Sequence, residues 1–228
     1  MRCITTMSDD LRARAFERLS EPPAPLPASA RPYAAGQSAA ASNPRQRTPL
    51  ERLRDTLDAM FEACATFREP SHSSFFARNM RLALAEAAAD PALLTAAQRE
   101  GSPESYRRHL LAADPRERYA IAALVWQPGQ ASPVHAHHTW CGYAVLDGTL
   151  SETIFEWDGA RHCASATRMQ ARPSGAVSFV RSGRGAIHQL GNRSEAPAIS
   201  LHVYGVAGTQ LGTHVNDVVR VADAAALV

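Results

Sequence analysis

The chain has 228 residues, of which 45% are hydrophobic and 20% are charged, and its formal net charge is +2 at pH 7. This composition indicates a globular protein with one main domain, and the low charge with scattered arginines argues against nucleic acid as a partner. Because there is no apolar run of roughly 18 residues and no signal-peptide core, we expect a cytoplasmic protein that does not contact membranes. Four cysteines without a CxxC pair also favour a reducing compartment.

The first 47 residues differ in composition from the rest of the chain. Residues 21–47 are rich in Pro, Ala and Ser and carry few large apolar side chains. Such a segment cannot bury enough apolar surface to offset the entropy lost on ordering. We therefore expect residues 1–47 to be a disordered or loosely ordered extension, with a short amphipathic helix over residues 8–19.

Residues 48–228 are predicted to form a single folded domain whose first part, roughly residues 48–110, is helical. Thr48 is a good N-cap, Pro49 suits the first helical turn, and Glu51 completes a capping box. The apolar side chains that follow recur with a helical period, which predicts an amphipathic helix.

Two further helices are predicted, over residues 73–89 and residues 91–99. The segment that follows them, "PESYRRHLLA", fits either a last helical turn or a strand that leads into the next part of the fold. From about residue 118 to residue 206, short apolar runs alternate with Gly, Pro, Asp and Asn turns. This texture predicts a mainly β fold, an antiparallel barrel or sandwich with an N-terminal helical cap.

Three histidines predict a metal site. His135 and His137 are two residues apart on a predicted strand and share a face, whereas His138 points away. A third ligand is needed, and His188 is the candidate because it lies on another short strand that can converge on the barrel interior. Imidazole suits Zn, Cu, Fe and Ni alike, so the ligand type alone does not name the metal.

A second group of polar residues alternates along the predicted strand "SLHVYG". Ser200, His202 and Tyr204 share one face and two apolar residues occupy the other. This face either lines the site or is the solvated face of an edge strand. We favour the site, because the serine can fix the histidine tautomer and the histidine can orient the tyrosine.

Upstream of the barrel, Tyr106 and Arg108 are two residues apart. An arginine can hold a carboxylate through two parallel hydrogen bonds, although taken alone Arg108 fits a surface position equally well. The neighbouring cations Arg107 and His109 are candidates for meeting a second carboxylate if the ligand has one.

Taken together, these motifs resemble the thiol dioxygenase family of cupins, and most of all its cysteine dioxygenases. The cupin signature is HxH, three or four residues, Glu, six residues and Gly, which here ends at Gly148 with Cys141 in place of the Glu. Pro173, Gly175 and His188 match the second cupin motif in outline. The resembling features span roughly residues 104–206.

The resemblance implies a mononuclear Fe(II) held by the three histidines and an O₂-dependent conversion of a thiol to a sulfinic acid. It implies that the Ser-His-Tyr residues 200, 202 and 204 lie beside the metal, with Tyr204 directed at the bound oxygen and substrate. Arg108 with Tyr106 would hold the substrate carboxylate. An arginine at this position goes with cysteine as substrate, whereas a glutamine goes with 3-mercaptopropionate.

The expected activity is therefore oxidation of L-cysteine to cysteine sulfinic acid, a step in cysteine catabolism, by a protein that we expect to be monomeric. Its partners would be a small thiol and O₂. The alternatives are a 3-mercaptopropionate or mercaptosuccinate dioxygenase and a metal-binding cupin without oxygen chemistry. A zinc hydrolase is less favoured because no general base is evident beside the metal.

Cys141 is a candidate for a thioether crosslink to Tyr204, as in some members of the family. Counted back from Gly148, Cys141 occupies the crosslinking position. Counted forward from His137 it falls one residue short, and Gly142 takes that position. On a regular strand, residues 137 and 141 would share a face, which favours the first count, whereas a bulge would reverse it.

Overall fold

The computed structural model describes residues 47–222. The predicted helix over residues 8–19 lies outside the described residues, as does all of the predicted N-terminal extension except Arg47. Within the described range, none of the helices is long and apolar enough to cross a membrane.

Within residues 47–222, two α-helices precede the sheets, α1 (Pro49–Ala63) and α2 (Ser74–Ala88). The predicted capping box at the start of α1 is present. The Glu51 amide donates to Thr48 Oγ1 over 3.2 Å, and the Thr48 amide donates to the Glu51 carboxylate over 2.7 Å. One face of each helix is buried, as the helical period of the apolar residues predicts.

The helix predicted over residues 91–99 is wrong, because two separate 3₁₀ turns form there, Pro91–Leu93 and Ala97–Arg99. A side chain accepts a hydrogen bond from a nearby backbone amide at each turn. Asp90 accepts from the Ala92 amide over 2.9 Å, and the Gln98 side chain accepts from the Thr95 amide over 3.0 Å. Such local bonds compete with the α-helical pattern and leave Leu94 extended between the turns.

In the described part of the chain, ten strands follow the helices. They are β1 (Arg107–Ala113), β2 (Ala120–Trp126), β3 (His135–His137), β4 (Cys141–Asp147), β5 (Thr149–Asp158), β6 (Cys163–Pro173), β7 (Val177–Val180), β8 (Gly183–Gly191), β9 (Ala198–Tyr204) and β10 (Asn216–Val218). They form two five-stranded antiparallel sheets, with the orders β1-β2-β9-β4-β7 and β10-β3-β8-β5-β6. The mainly β fold with two N-terminal helices is thereby confirmed.

The sheets begin earlier and end later than the predicted barrel of residues 118–206. β1 occupies residues 107–113, so helices do not extend to about residue 110, and of the two alternatives for "PESYRRHLLA" the lead-in strand is the one observed. The reason is tertiary, because β1 pairs with β2 over its length, from Arg107 opposite Val125 to Ala113 opposite Ala120. At the other end, β10 pairs with β3 and adds a strand after residue 206.

The first sheet separates two apolar clusters. Its outer face packs with Leu57, Phe76 and Met80 of the helices in one cluster, whereas alternate residues of the same strands face the second sheet. All seven residues of β2 and of β9 are buried, since both faces of these strands are covered. Side chains on the inner face are therefore enclosed between the two sheets, and this is where the site forms.

Asp114 ties the turn between β1 and β2. Its buried carboxylate accepts from Arg118 Nε over 2.5 Å and from the Arg118 amide over 3.0 Å, and Arg118 also pairs with Asp58 of α1. Burial alone would raise the pKa of Asp114, but the hydrogen bonds from Arg118 hold its pKa below the ordinary value. The ionised form therefore stabilises the folded state.

Replacing this carboxylate should destabilise the protein in a pH-dependent way. We expect Asp114→Asn to lower the free energy of unfolding by about 3 kcal/mol near neutral pH, because the partly buried Arg118 loses its buried carboxylate partner and keeps only the more exposed Asp58. Since the folded-state pKa is depressed, the stabilisation is complete above the unfolded pKa of about 3.9 and is lost as the pH falls through the folded pKa.

Urea unfolding of the wild type and the variant at about pH 7 and about pH 3 checks this. Arg116→Ala is the matched control, because its pair with Glu62 is exposed and should contribute less than about 1 kcal/mol. An equal difference between wild type and Asp114→Asn at both pH values would contradict the assigned cause.

Candidate metal centre

The structure brings the three predicted histidines together. His135 and His137 lie on β3 and His188 on β8, and the two strands pair with His135 directly opposite His188. One ring nitrogen of each histidine lies within 4.8 Å of the others, and all three side chains are buried. His138 is exposed, on the other side of the strand, as its position in the sequence predicts.

The chemistry of these histidines fits a divalent transition-metal ion. Burial and the neighbouring His188 lower the pKa of His135 to about 4. Burial, His188 and His135 lower the pKa of His137 to about 2. Both rings are therefore neutral near pH 7, with lone pairs available, and Nδ1 of His135 can donate to the Pro133 carbonyl 2.9 Å away so that Nε2 is free.

The Ser-His-Tyr residues lie on β9, on its inner face. β9 is the middle strand of its sheet, between β2 and β4, so the alternative of a solvated edge strand is wrong. His202 Nε2 lies 2.8 Å from Ser200 Oγ, and His202 Nδ1 lies 3.0 Å from the Tyr204 hydroxyl. Trp126, which gave no signal in the sequence, donates from Nε1 to Ser200 Oγ over 2.9 Å.

This chain of hydrogen bonds has a direction. The indole of Trp126 can only donate, so Ser200 Oγ accepts from it, and within the described residues the acceptor in reach of the serine hydrogen is His202 Nε2. Burial lowers the pKa of His202 well below its ordinary value, so the ring carries one hydrogen, on Nδ1. That hydrogen points at Tyr204, whose own hydroxyl hydrogen is left to donate into the pocket.

Arg108 reaches the same pocket from β1. Its Nη1 donates to the Leu211 carbonyl over 2.9 Å, while its buried Nε has no hydrogen-bond partner among the described residues. Its guanidinium lies 5.9 Å from the ring centroids of both Tyr106 and Tyr204. Tyr106 stacks on Trp126 with 4.4 Å between ring centroids, which fixes the tyrosine beside the guanidinium. The pocket is lined by these residues together with the three histidines.

Arg107 and His109 lie away from the pocket. Arg107 is 3.8 Å from the Glu100 carboxylate, and His109 Nε2 is 2.8 Å from the Glu100 carbonyl oxygen. Successive side chains of a strand point to opposite faces, so Arg107 and His109 lie on the face of β1 opposite to Arg108. The expectation that they meet a second substrate carboxylate is therefore not supported.

Cys141 faces the pocket, and the register of the strands shows why. It lies on β4 directly opposite Tyr204 of β9, and its Sγ is 3.9 Å from His202 Nδ1. A Cβ added to Gly142 would lie 2.8 Å from a Leu84 methyl group of α2, so position 142 faces the helices. The count back from Gly148 therefore identifies the inward position.

The reasoning from a shared strand was nevertheless wrong, because residues 137 and 141 belong to β3 and β4, in different sheets. Burial raises the pKa of Cys141 above its ordinary value, so the sulfur is present as a thiol. The crosslink itself stays a prediction.

Glu152 is a member of the site that the sequence did not reveal. It is a buried residue of β5, and its Oε1 lies 2.8 Å from His188 Nδ1. Burial alone would raise the pKa of Glu152, but the hydrogen bonds with His188 and Gln170 and the charge of Arg172 hold it below the ordinary value. In the sequence it is one of many charged residues on strands, and only the fold turns it inward.

Comparison with known proteins agrees with this geometry. A family model described as "Cysteine dioxygenase type I" matches residues 99–210. Several solved structures resemble the chain at low identity. A Thermus thermophilus protein is 23% identical over 50% of this chain and 96% of that chain, with a TM-score of 0.39. A Cupin 2 conserved barrel domain protein from Salinispora arenicola is 18% identical over 47% and 80%, with a TM-score of 0.35.

A Klebsiella pneumoniae protein with a double-stranded β-helix domain is 14% identical over 52% of this chain and 88% of that chain, with a TM-score of 0.40. The residues matched by the family model include the three buried histidines.

Metal binding should depend on the inward histidines and not on their exposed neighbour. We expect the purified protein to bind one Fe(II) per chain and His137→Ala to lose it, whereas the matched variant His138→Ala keeps it. Free Fe(II) at about 100 times its dissociation constant should raise the free energy of unfolding by about 2.7 kcal/mol in the wild type. Elemental analysis and anaerobic thermal unfolding measure both effects. Equal iron content in the two variants would contradict the assignment.

Proposed function

We propose that the protein is an iron(II)-dependent thiol dioxygenase that oxidises a small carboxylate-bearing thiol, L-cysteine above all, to the sulfinic acid. The family match and the buried histidines support the coarser activity, and the contents of the pocket support the finer one. The predicted monomeric state, cytoplasmic location and part in cysteine catabolism stay predictions from the sequence.

The observation that carries the proposal is the position of Arg108. Its guanidinium is held in the pocket by the Leu211 carbonyl and by the side chains of Tyr106 and Tyr204, and its Nε has no hydrogen-bond partner among the described residues. A partly buried cation with a free donor can bind an anion, and the planar guanidinium matches a carboxylate. Because the histidines line the same pocket, a ligand bound through its carboxylate would present its other end to them.

Fe(II), held by His135, His137 and His188, would supply a positive centre on which the substrate thiol ionises and dioxygen is activated. Both oxygen atoms of O₂ end on the sulfur, which is oxidised by four electrons while O₂ is reduced, and the thiol hydrogen becomes the acid hydrogen. The Tyr204 hydroxyl, with its hydrogen directed into the pocket, would hydrogen-bond to an oxygen or sulfur atom there. Tyr204 stays neutral because burial raises its pKa well above the ordinary value.

The charge in the pocket distinguishes the candidate substrates. Among the residues that line it, Arg108 is the cationic side chain, and Arg107 and His109 lie elsewhere. One guanidinium favours a thiol with one carboxylate, such as cysteine or 3-mercaptopropionate, over mercaptosuccinate with two. The arginine at this position, by its resemblance to cysteine-oxidising members, favours cysteine over 3-mercaptopropionate.

Oxygen uptake with the iron-loaded protein tests the proposal directly. We expect O₂ consumption with L-cysteine to exceed that with 3-mercaptopropionate and mercaptosuccinate, with one sulfinic acid formed per O₂. A preference for another thiol would change the substrate and keep the chemistry. Iron binding without O₂ consumption with any thiol would favour a cupin without oxygen chemistry, and a preference for zinc would favour a hydrolase.

Removing the Arg108 guanidinium should weaken substrate binding and leave metal binding unchanged. We expect Arg108→Ala to lower kcat/KM for L-cysteine roughly 10- to 100-fold, mostly through KM, because a charge-assisted hydrogen-bonded pair is lost. Iron content should be unchanged. The matched control is Arg107→Ala, one residue away on the other face of β1, which should behave as the wild type. An unchanged KM in Arg108→Ala would remove its assigned role.

Turnover should also test the crosslink between Cys141 and Tyr204. Formation of a bond from Sγ to the tyrosine ring removes the thiol hydrogen and one ring hydrogen, and O₂ accepts the two electrons. We expect a tryptic digest of protein treated with iron, cysteine and O₂ to contain the two peptides joined and lighter by two hydrogen atoms. Cys141→Ser cannot form this product. Recovery of the two wild-type peptides only as separate, unmodified species would exclude the crosslink.

A further inference from the structure

The carboxylate of Glu152 lies directly behind one of the three histidines. β5 pairs with β8, and the inward Glu152 side chain reaches His188 Nδ1 over 2.8 Å. Both side chains are buried, with side-chain exposures of 5% and 7%. Burying a charged group without hydrogen-bond partners costs free energy, so the contacts that Glu152 makes fix the position of its carboxylate.

The second carboxylate oxygen of Glu152 is also held. Gln170 on β6 lies opposite Glu152 in the β5–β6 register, and its Nε2 donates to Oε2 over 2.8 Å. Arg172, two residues further along β6, places its Nε 3.6 Å from the same oxygen. The carboxylate is therefore fixed at both oxygens, and neither contact on Oε2 involves a histidine.

We propose that Glu152 is a positioning residue that holds His188 in the tautomer and orientation required for metal binding; this rests on the proposed metal site. An ionised carboxylate can only accept hydrogen bonds, so the hydrogen of the His188 ring lies on Nδ1 and the lone pair on Nε2. The carboxylate also makes the imidazole a stronger electron donor than a neutral acceptor would.

The three histidines differ in this respect. His135 Nδ1 faces a neutral carbonyl, that of Pro133, and the hydrogen-bond partner of His137 is the neutral backbone of Ala186. Within residues 47–222, His188 is the member of the cluster with a carboxylate on its second nitrogen. Glu152 therefore places one negative charge behind one ligand of an otherwise neutral set.

This charge compensates for a departure from the cupin signature. Cys141 stands where the signature has a glutamate, and its thiol is neutral because burial raises its pKa. Glu152 supplies a carboxylate from outside the ligand set, through His188. A bound ion would then have no carboxylate ligand from the position of Cys141, and Glu152 would supply part of that charge through His188.

Glu152→Gln tests the proposal, because glutamine keeps the size of the side chain and removes the charge. We expect its Fe(II) affinity, measured anaerobically by competition with a chromophoric chelator, to fall about 10- to 100-fold. The visible absorption bands of the Co(II)-substituted protein should also shift, which a purely structural role would not produce. Glu152→Asp keeps the charge on a shorter side chain, so its affinity should fall between those of the wild type and Glu152→Gln.

Asp114→Asn is the matched control, since it also removes a buried carboxylate held by an arginine but does not touch the histidines. We expect it to lose stability and to bind Fe(II) with wild-type affinity. Overlap of wild type and Glu152→Gln within about twofold in affinity, with the same Co(II) spectrum, would overturn the positioning role. So would an equal loss of affinity in Asp114→Asn.

Failure of this inference can be told from failure of the proposed function. If wild type binds iron and consumes O₂ with cysteine while Glu152→Gln binds iron equally well, only the positioning role falls. If wild type neither binds iron nor consumes O₂ with any thiol, the proposed function falls first. Where Glu152→Gln does not fold, Glu152→Asp carries the test, and a wild-type affinity and spectrum in that variant would overturn the role.

Discussion

Complete burial of β9 on both faces is the constraint on which the rest of the molecule depends. Leu201 and Val203 face the cluster formed with the helices, and the polar residues between them face the second sheet. Apolar side chains need only be packed, whereas buried polar ones must be hydrogen-bonded. The helices are therefore needed by the site, because they cover the outer face of the strand whose inner face carries Ser200, His202 and Tyr204.

The same requirement organises the hydrogen bonds inside the barrel. Trp126 donates to Ser200, Ser200 donates to His202, and His202 donates to the Tyr204 hydroxyl. The hydroxyl hydrogen of Tyr204 is then free to donate into the pocket. On the opposite sheet, a similar series joins Gln170, which donates to Glu152, and Glu152, which accepts from His188. Each sheet thus contributes a series of hydrogen bonds that ends at the pocket. One series ends at the hydroxyl hydrogen of Tyr204, and the other ends at the lone pair on Nε2 of His188.

Local pattern was sufficient to predict the features that depend on neighbours in sequence. The capping box at Thr48, the strand parity of His135 and His137, and the outward position of His138 each follow from the geometry of one element. Gly148 also belongs here, because its φ of 70° is a backbone conformation that favours glycine. The count from this glycine identified the inward cysteine, whereas the count from the histidines had to cross from one sheet to the other.

Features that depend on pairing between distant segments could not be predicted. The sequence of β1 is equally compatible with a helical turn, and its pairing with β2 is what makes it a strand. Trp126 and Glu152 lie on strands that were recognised, but no pattern within those strands says that an indole will meet Ser200 or a carboxylate will meet His188. Their partners are 74 and 36 residues away along the chain.

Substitution of the signature glutamate by Cys141 has a consequence for the balance of charge at the centre. A glutamate ligand would neutralise part of the charge of a divalent ion and occupy one of its positions, whereas a neutral thiol does neither. The ion would then attract anions strongly, and Arg108 in the same pocket adds a second positive charge. Such a pocket favours a ligand with two anionic groups, a carboxylate at one end and a thiolate at the other. With the role proposed for it above, Glu152 would reduce this attraction through His188 without being a ligand itself.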